Sequence, residues 1–201
     1  MEEYVIKDGI LYGYRGYNTT LKVPDGVTII ADWAFENCDL LQGITFPDSI
    51  EKFGASVFSG CTSLKSINIP IGLKRISMGA FVGCSSLTSI IIPNGVTSIG
   101  ILAFGDCSSA KYIEIPETVT SINPSAFEGC HSLTSIKIPN EVTIIEAWVF
   151  KNCSSFVSII IPNKVTSIRQ EAFKECSNLR SIFIPRSVTH VENNVFRVAI
   201  N

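Results

Sequence analysis

The sequence predicts a repeat solenoid: an elongated stack of 23-residue coils, built from short parallel strands and short helical turns and opened by a β-hairpin cap. Three columns of residues predict it. Proline recurs at Pro24, Pro47, Pro70, Pro93, Pro116, Pro139, Pro162 and Pro185, and phenylalanine at Phe35, Phe58, Phe81, Phe104, Phe127, Phe150, Phe173 and Phe196. Cysteine recurs at Cys38, Cys61, Cys84, Cys107, Cys130, Cys153 and Cys176. Every step is 23 residues with no insertion, and only Pro124 lies outside the proline column. Self-similarity at a period of roughly 20–50 residues marks solenoids, propellers and arrays. A unit this short cannot hold a four-stranded propeller blade, so it reads as one coil of a solenoid.

Residues 1–20 lie outside the repeat. Tyr4-Val5-Ile6-Lys7 and Ile10-Leu11-Tyr12-Gly13-Tyr14 flank Asp8-Gly9. Asp-Gly is a preferred pair for a two-residue hairpin turn, because both positions need positive φ. An open solenoid exposes an apolar end and unpaired strand edges, so a hairpin here serves as an N-terminal cap. Residues 21–201 then divide into eight repeats, the last one truncated.

Within one unit, Ser89–Ile92 alternates outward and inward, which predicts a short strand pairing in parallel with its equivalents. Pro93 stops the strand because it has no N–H to donate. Pro93-Asn94-Gly95 makes a turn, with proline placed at the second turn position. Val96 and Ile99 follow as an inward pair on an extended segment. Ala103, Phe104 and Cys107 share a face if the next segment is a single helical turn. Asn123-Pro124 supports that helix, asparagine as its N-cap and proline at the first helical position. Gly60, Gly83 and Gly129 stand where such a turn must end and suit a left-handed exit. Ala110 is undersized for its leucine column, and repacking by Tyr112 is the expected compensation.

Seven cysteines invite a disulfide reading, and stacking geometry opposes it. Equivalent Cα atoms in stacked coils lie ~4.8 Å apart, and parallel side chains keep their Cβ atoms at about that distance. A bridge prefers Cβ atoms ~3.5–4.5 Å apart. The prediction is a ladder of buried free thiols packing as small hydrophobes.

Composition excludes several function classes. The formal charge is -2 and no basic run occurs, which argues against nucleic acid as a partner. Although 46% of residues are hydrophobic, no run approaches the ~20 apolar residues of a membrane-inserted span. Met1–Lys7 lacks the apolar core of a signal peptide, which leaves retention in the cell, removal of a signal or unconventional export as the routes open. His131 and His190 stand in different columns more than two coils apart, so they cannot share a site. A row of stacked cysteines cannot surround a metal tetrahedrally, and no phosphate loop, nucleophile elbow or zinc-protease motif occurs. No catalytic residue, metal ligand or cofactor site is expected.

What remains is surface. Outward strand positions form two columns along one face. Gly43, Ser66, Ser89, Tyr112, Ser135, Ser158 and Ser181 are mostly small, and beside them run Thr45, Asn68, Ile91, Glu114, Lys137, Ile160 and Phe183, which vary in size and charge. The second column is the candidate partner-binding site, with Ile91, Ile160 and Phe183 as apolar contacts. Plain β-propensity explains the same residues without a partner. Trp33 and Trp148, five coils apart at equivalent positions, read as side-wall packing residues rather than a ligand platform. Val198 and Ile200 give the last coil an apolar end, which points to a longer parent protein or to end-to-end self-association.

The pattern Leu-x-x-Ile-x-Ile-Pro-x-x-Val-x-x-Ile-x-x-x-Ala-Phe-x-x-Cys over residues 21–196 resembles the repeat of the BspA-like leucine-rich repeat proteins. The lead-in Ile6–Tyr14 is similar to the hairpin that often opens such arrays. The resemblance implies a right-handed leucine-rich-repeat superhelix, found mainly in bacteria. It also implies a secreted or cell-surface setting and adhesion-type binding of a protein, or else of a glycan. It transfers no catalytic residue.

Overall fold

The structure is a computed structural model, and it describes residues 3–197. The reading of Val198 and Ile200 falls outside those residues. Strands β1 (Tyr4–Lys7) and β2 (Ile10–Tyr14) form the antiparallel hairpin, with Asp8 and Gly9 both at positive φ. Strand β2 then pairs in parallel with β4 (Ile29–Ile30), so the hairpin covers the first coil.

The coils contribute to two strand ladders, each divided into short sheets of two to four strands. The first ladder is the predicted one. In it β9 (Ser89–Ile91) pairs with β11 (Tyr112–Glu114) in a register offset by one repeat: Ser89 with Tyr112, Ile90 with Ile113, Ile91 with Glu114. The second ladder runs through the segment read as merely extended. There β8 (Arg75–Ile76), β10 (Ser98–Ile99) and β12 (Ser121–Ile122) pair in parallel, again one repeat apart. The turn between the ladders differs from expectation by one position. The amide of Val96 donates to the carbonyl of Pro93, which makes proline the first turn residue, with Gly95 third at φ +101°.

The third side of the coil is not helical. No helix occurs among the described residues. In residues 31–38 every second amide closes a short local turn: Ala34 to Ala31 O, Glu36 to Trp33 O and Cys38 to Phe35 O. The amides between them, on Trp33, Phe35 and Asn37, donate instead to Ala55, Val57 and Ser59 of the next coil. A right-handed helical turn is excluded by the left-handed φ of Trp33 and Asn37 within this segment. Stacking at strand spacing leaves the neighbouring coil's carbonyls in need of partners, so half the amides serve the neighbour. Alternation is achieved by two left-handed residues four apart, Trp33 and Asn37, then Ser56 and Gly60, Gly79 and Gly83, Leu102 and Asp106, and so on. The glycines thus do lie in left-handed turns, as expected, although no helix ends there. Nor is Asn123 an N-cap: its side-chain amide donates to Ile99 O of the preceding coil at 2.7 Å.

The core is a set of continuous columns. Phe81, Phe104 and Phe127 stack with ring centroids 5.3 and 5.8 Å apart and planes 2° from parallel. Tyr14 of the hairpin approaches Phe35 at 6.2 Å and extends this column into the cap. All seven cysteines are free, and six are buried. They are more than small hydrophobes, because each buried thiol donates to a phenylalanine carbonyl of the preceding coil at 3.1–3.3 Å. Ala110 is fully buried, but Tyr112 does not fill its space: that ring is exposed and its hydroxyl donates to Glu114.

Candidate interaction face

The first strand ladder presents the candidate site. Outward and inward residues alternate along each strand because successive side chains leave opposite faces. The inward residues Ile90, Ile113 and Ile159 are buried, which forces their neighbours outward. All seven residues of the variable column (Thr45, Asn68, Ile91, Glu114, Lys137, Ile160 and Phe183) are exposed and lie on one face. Ile91 is 59% exposed, Ile160 72% and Phe183 59%. Tyr112, placed by sequence among the low column, is 54% exposed and joins them.

The face is not uniform. Residues 135–137 occupy the ladder position between β11 and β14 (Ser158–Ile160), yet Ser135, Ile136 and Lys137 make no backbone hydrogen bond to either neighbour. A hollow of about 460 Å³ opens on one side, lined by Lys137, Ser158, Ile160 and Pro162. Another of about 600 Å³ opens on the other, lined by Tyr112, Glu114, Glu117 and Lys137. The widest ring separations of the phenylalanine column, 5.8 and 5.7 Å, fall on either side of Phe127 in this same region. Nearby Phe156 fills a leucine position and packs on Phe150 at 5.3 Å. The missing strand pairing, the two hollows and these ring separations thus fall in the same part of the array. Nothing in the periodic sequence marked this break.

Charge on the face is partly neutralised. Lys137 pairs with Glu117 at 2.6 Å. That hydrogen bond, with a further one from the Asn140 amide, holds the Glu117 carboxyl below its usual range. Glu114 accepts from the Tyr112 hydroxyl at 3.0 Å, which raises the phenol above its ordinary value.

The remaining candidates separate. Trp148 donates its indole N–H to Glu171 at 3.2 Å and is partly buried, as a side-wall residue should be. Trp33, at the equivalent position, is 59% exposed and is not packed into a wall. Both adopt left-handed φ of 58°, a feature the sequence reading missed. Gly79 and Asn194 at equivalent positions were the available signal. The Cys130 thiol beside His131 is buried, donates to Phe104 O and is pushed up to about 12 by burial and then by the Asp106 charge, so it is not an activated nucleophile. Among the described residues no group of three or more His, Cys, Asp or Glu is placed to hold a metal ion, and no helix is long and apolar enough to cross a membrane.

Comparison with known proteins agrees with this geometry. The family model of the BspA-type leucine-rich repeat region matches six copies, over residues 6–112 and 102–201. The leucine-rich repeat protein of T. pallidum is similar at 30% identity and TM-score 0.79, over 85% of this chain and 82% of its own. A leucine-rich repeat protein from Bacteroides ovatus shares 28% identity at TM-score 0.87 over 98% of this chain. A leucine-rich cell surface protein from Faecalibacterium prausnitzii shares 29% identity at TM-score 0.57 over 81%. This chain spans 55% and 59% of the latter two proteins. No curated protein sequence matches it significantly. The 23-residue period, the twin strand ladders and the family match over most of the chain agree, and the chain belongs to the BspA-type leucine-rich repeat family.

Proposed function

We propose that the chain is a non-catalytic leucine-rich-repeat scaffold that binds a protein partner through its first strand face, in a cell-surface or secreted adhesion setting. In this reading residues 1–20 are the cap and residues 21–201 the array that displays the face. One observation carries it: Ile91, Ile160 and Phe183 project from outward strand positions on one side of the solenoid, Ile160 and Phe183 in register with each other and Tyr112 on the same side, although every coil has an interior that takes apolar residues. Solvated apolar side chains gathered on one face are the signature of an interaction surface. The hollows on either side of Lys137 give that face relief, and repeat arrays commonly bind along extended surfaces of this kind. The description of the F. prausnitzii relative as a cell surface protein supports the setting.

Panning a random-peptide phage library on the folded protein tests the reading. Recovered peptides are expected to lose binding to the Ile160→Asp and Phe183→Asp variants. Peptides that bind both variants as tightly as the parent protein would place the interaction surface elsewhere. Variants that change self-association by sedimentation, with no effect on peptide binding, would favour an end-to-end spacer instead.

A further inference from the structure

The second strand ladder carries a feature that the strand-face reading does not use. Lys52 and Arg75 occupy equivalent outward positions in adjacent coils, one in β6 (Lys52–Phe53) and the other in β8. Strands β6 and β8 are not hydrogen-bonded to one another, since β6 pairs only with β4 and β8 only with β10, so the ladder is open between the two cations. Lys74 stands beside them. None of the three makes an ion pair or a side-chain hydrogen bond, whereas Lys137, Lys151, Lys164, Arg169 and Lys174 all pair with glutamates. Two hollows of about 430 and 450 Å³ meet here and share Lys52, Phe53, Arg75 and Ser98. The carboxylates at their edges are Asp32, which accepts from the Ala55 amide, and Glu51, which pairs with no cation. Three cations thus face two carboxylates, one of them engaged, on a chain whose overall charge is -2.

A short apolar column runs parallel to the cations. Met78 and Ile101, also equivalent in adjacent coils, are 54% and 44% exposed at the rim of the first hollow. Between the two columns the floor is low because the coils touch. A Cβ on Gly54 would come within 2.3 Å of the Asp32 amide nitrogen, and one on Gly100 within 2.7 Å of the Met78 nitrogen. Only glycine fits at such an approach, and the missing side chains leave the hollow open.

We propose that this hollow is a second docking site, which takes a protein segment carrying an acidic residue beside an aliphatic one. One carboxylate enters the hollow and bridges the side chains of Lys52 and Arg75, which both line it. The adjacent aliphatic side chain covers Met78 and Ile101, methionine adapting to its shape. The open surface here is aliphatic and Phe53 is buried, so no aromatic platform is offered to a sugar ring.

The test uses fluorescence anisotropy with a labelled Gly-Glu-Leu-Glu-Leu-Gly peptide and its Gln-for-Glu analogue on the full chain. The expected result is tighter binding of the Glu peptide. That affinity is expected to fall about tenfold in Lys52→Gln and in Arg75→Gln, and further at high salt, as a rim charge pair would. Met78→Ser weakens it, and Ile160→Asp leaves it unchanged. The circular-dichroism melting curve of each variant checks the fold, since Lys52 and Arg75 are exposed. Equal binding of the two peptides, or full affinity in Lys52→Gln and Arg75→Gln, overturns the proposal. So does chondroitin sulfate binding at these residues when the peptide does not. Loss on Ile160→Asp alone would sink this site while leaving the strand-face reading intact.

Discussion

The thiol of Cys107 donates to the carbonyl oxygen of Phe81 at 3.2 Å, and the same oxygen accepts the amide of Cys84 at 3.1 Å. One carbonyl therefore joins the turn of its own coil to the side chain of the next. The relation repeats with Cys61 on Phe35, Cys84 on Phe58, Cys130 on Phe104, Cys153 on Phe127 and Cys176 on Phe150. The cysteine column is a ladder of neutral hydrogen-bond donors, and its chemistry depends on keeping the proton.

That dependence predicts a loss of stability in alkali. Burial pushes the thiols of Cys61, Cys130 and Cys176 up to about 12. In the unfolded chain a thiol ionises near ~8.5. Between these values the folded state binds more protons than the unfolded state, so stability falls as pH rises. The contribution is complete below about pH 8.5 and is lost progressively towards about pH 12, at most ~1.4 kcal/mol per pH unit for each thiol. Urea unfolding of reduced protein at neutral and alkaline pH measures the slope. A Cys107→Ala variant is expected to show a shallower one.

Replacing an interior ring opens a cavity between two others. Phe104 is fully buried and stacks on Phe81 and Phe127. Phe104→Ala is expected to cost ~3–5 kcal/mol, read as a lower denaturation midpoint. A midpoint equal to that of the parent protein would contradict the continuous column.

Left-handed backbone at a branched residue predicts the opposite sign. Leu102 holds φ 54° at a position where Gly79 stands one coil earlier. A side chain there costs roughly 1–2 kcal/mol of backbone energy. Leu102→Gly, after the loss of a partly exposed side chain, is expected to be neutral or to stabilise by up to about 1 kcal/mol. Thermal melting of the pair of proteins decides it.

The strand face should tolerate polar substitution. Ile160 is 72% exposed, so Ile160→Asp is expected to change stability by no more than ~0.5 kcal/mol. Unaltered unfolding curves for this variant make any loss of binding a statement about contact.

Much of this fold was legible because the repeat constrains it. Once Phe35 to Phe196 stand 23 apart, parallel register and a stacked interior follow, and Asp8-Gly9 announces its own turn. The third side of the coil was misread for a physical reason. Ala103, Phe104 and Cys107 have a spacing that suits one helical turn, and spacing cannot show where amides donate. The amide of Phe104 goes to Ala126 of the next coil, and Leu102 and Asp106 on either side hold left-handed φ, which a right-handed helical turn forbids. The exposure of the Ile91, Ile160 and Phe183 column was legible from alternation alone. The break at Ser135–Lys137 was not, because Ser135-Ile136-Lys137 keeps the same outward-inward-outward pattern as the paired strands. The unpaired Lys52 and Arg75 were invisible for a similar reason, since pairing is decided by reach across coils.

The in-register ladders have a consequence for how such a protein changes over generations. Each full coil offers its neighbour a ring at the same place in a 23-residue period, so duplication or loss of one 23-residue stretch of gene keeps the interior column in step on both sides. Length becomes a freely varied trait, and new outward side chains can be recruited one rung at a time without redesigning the interior.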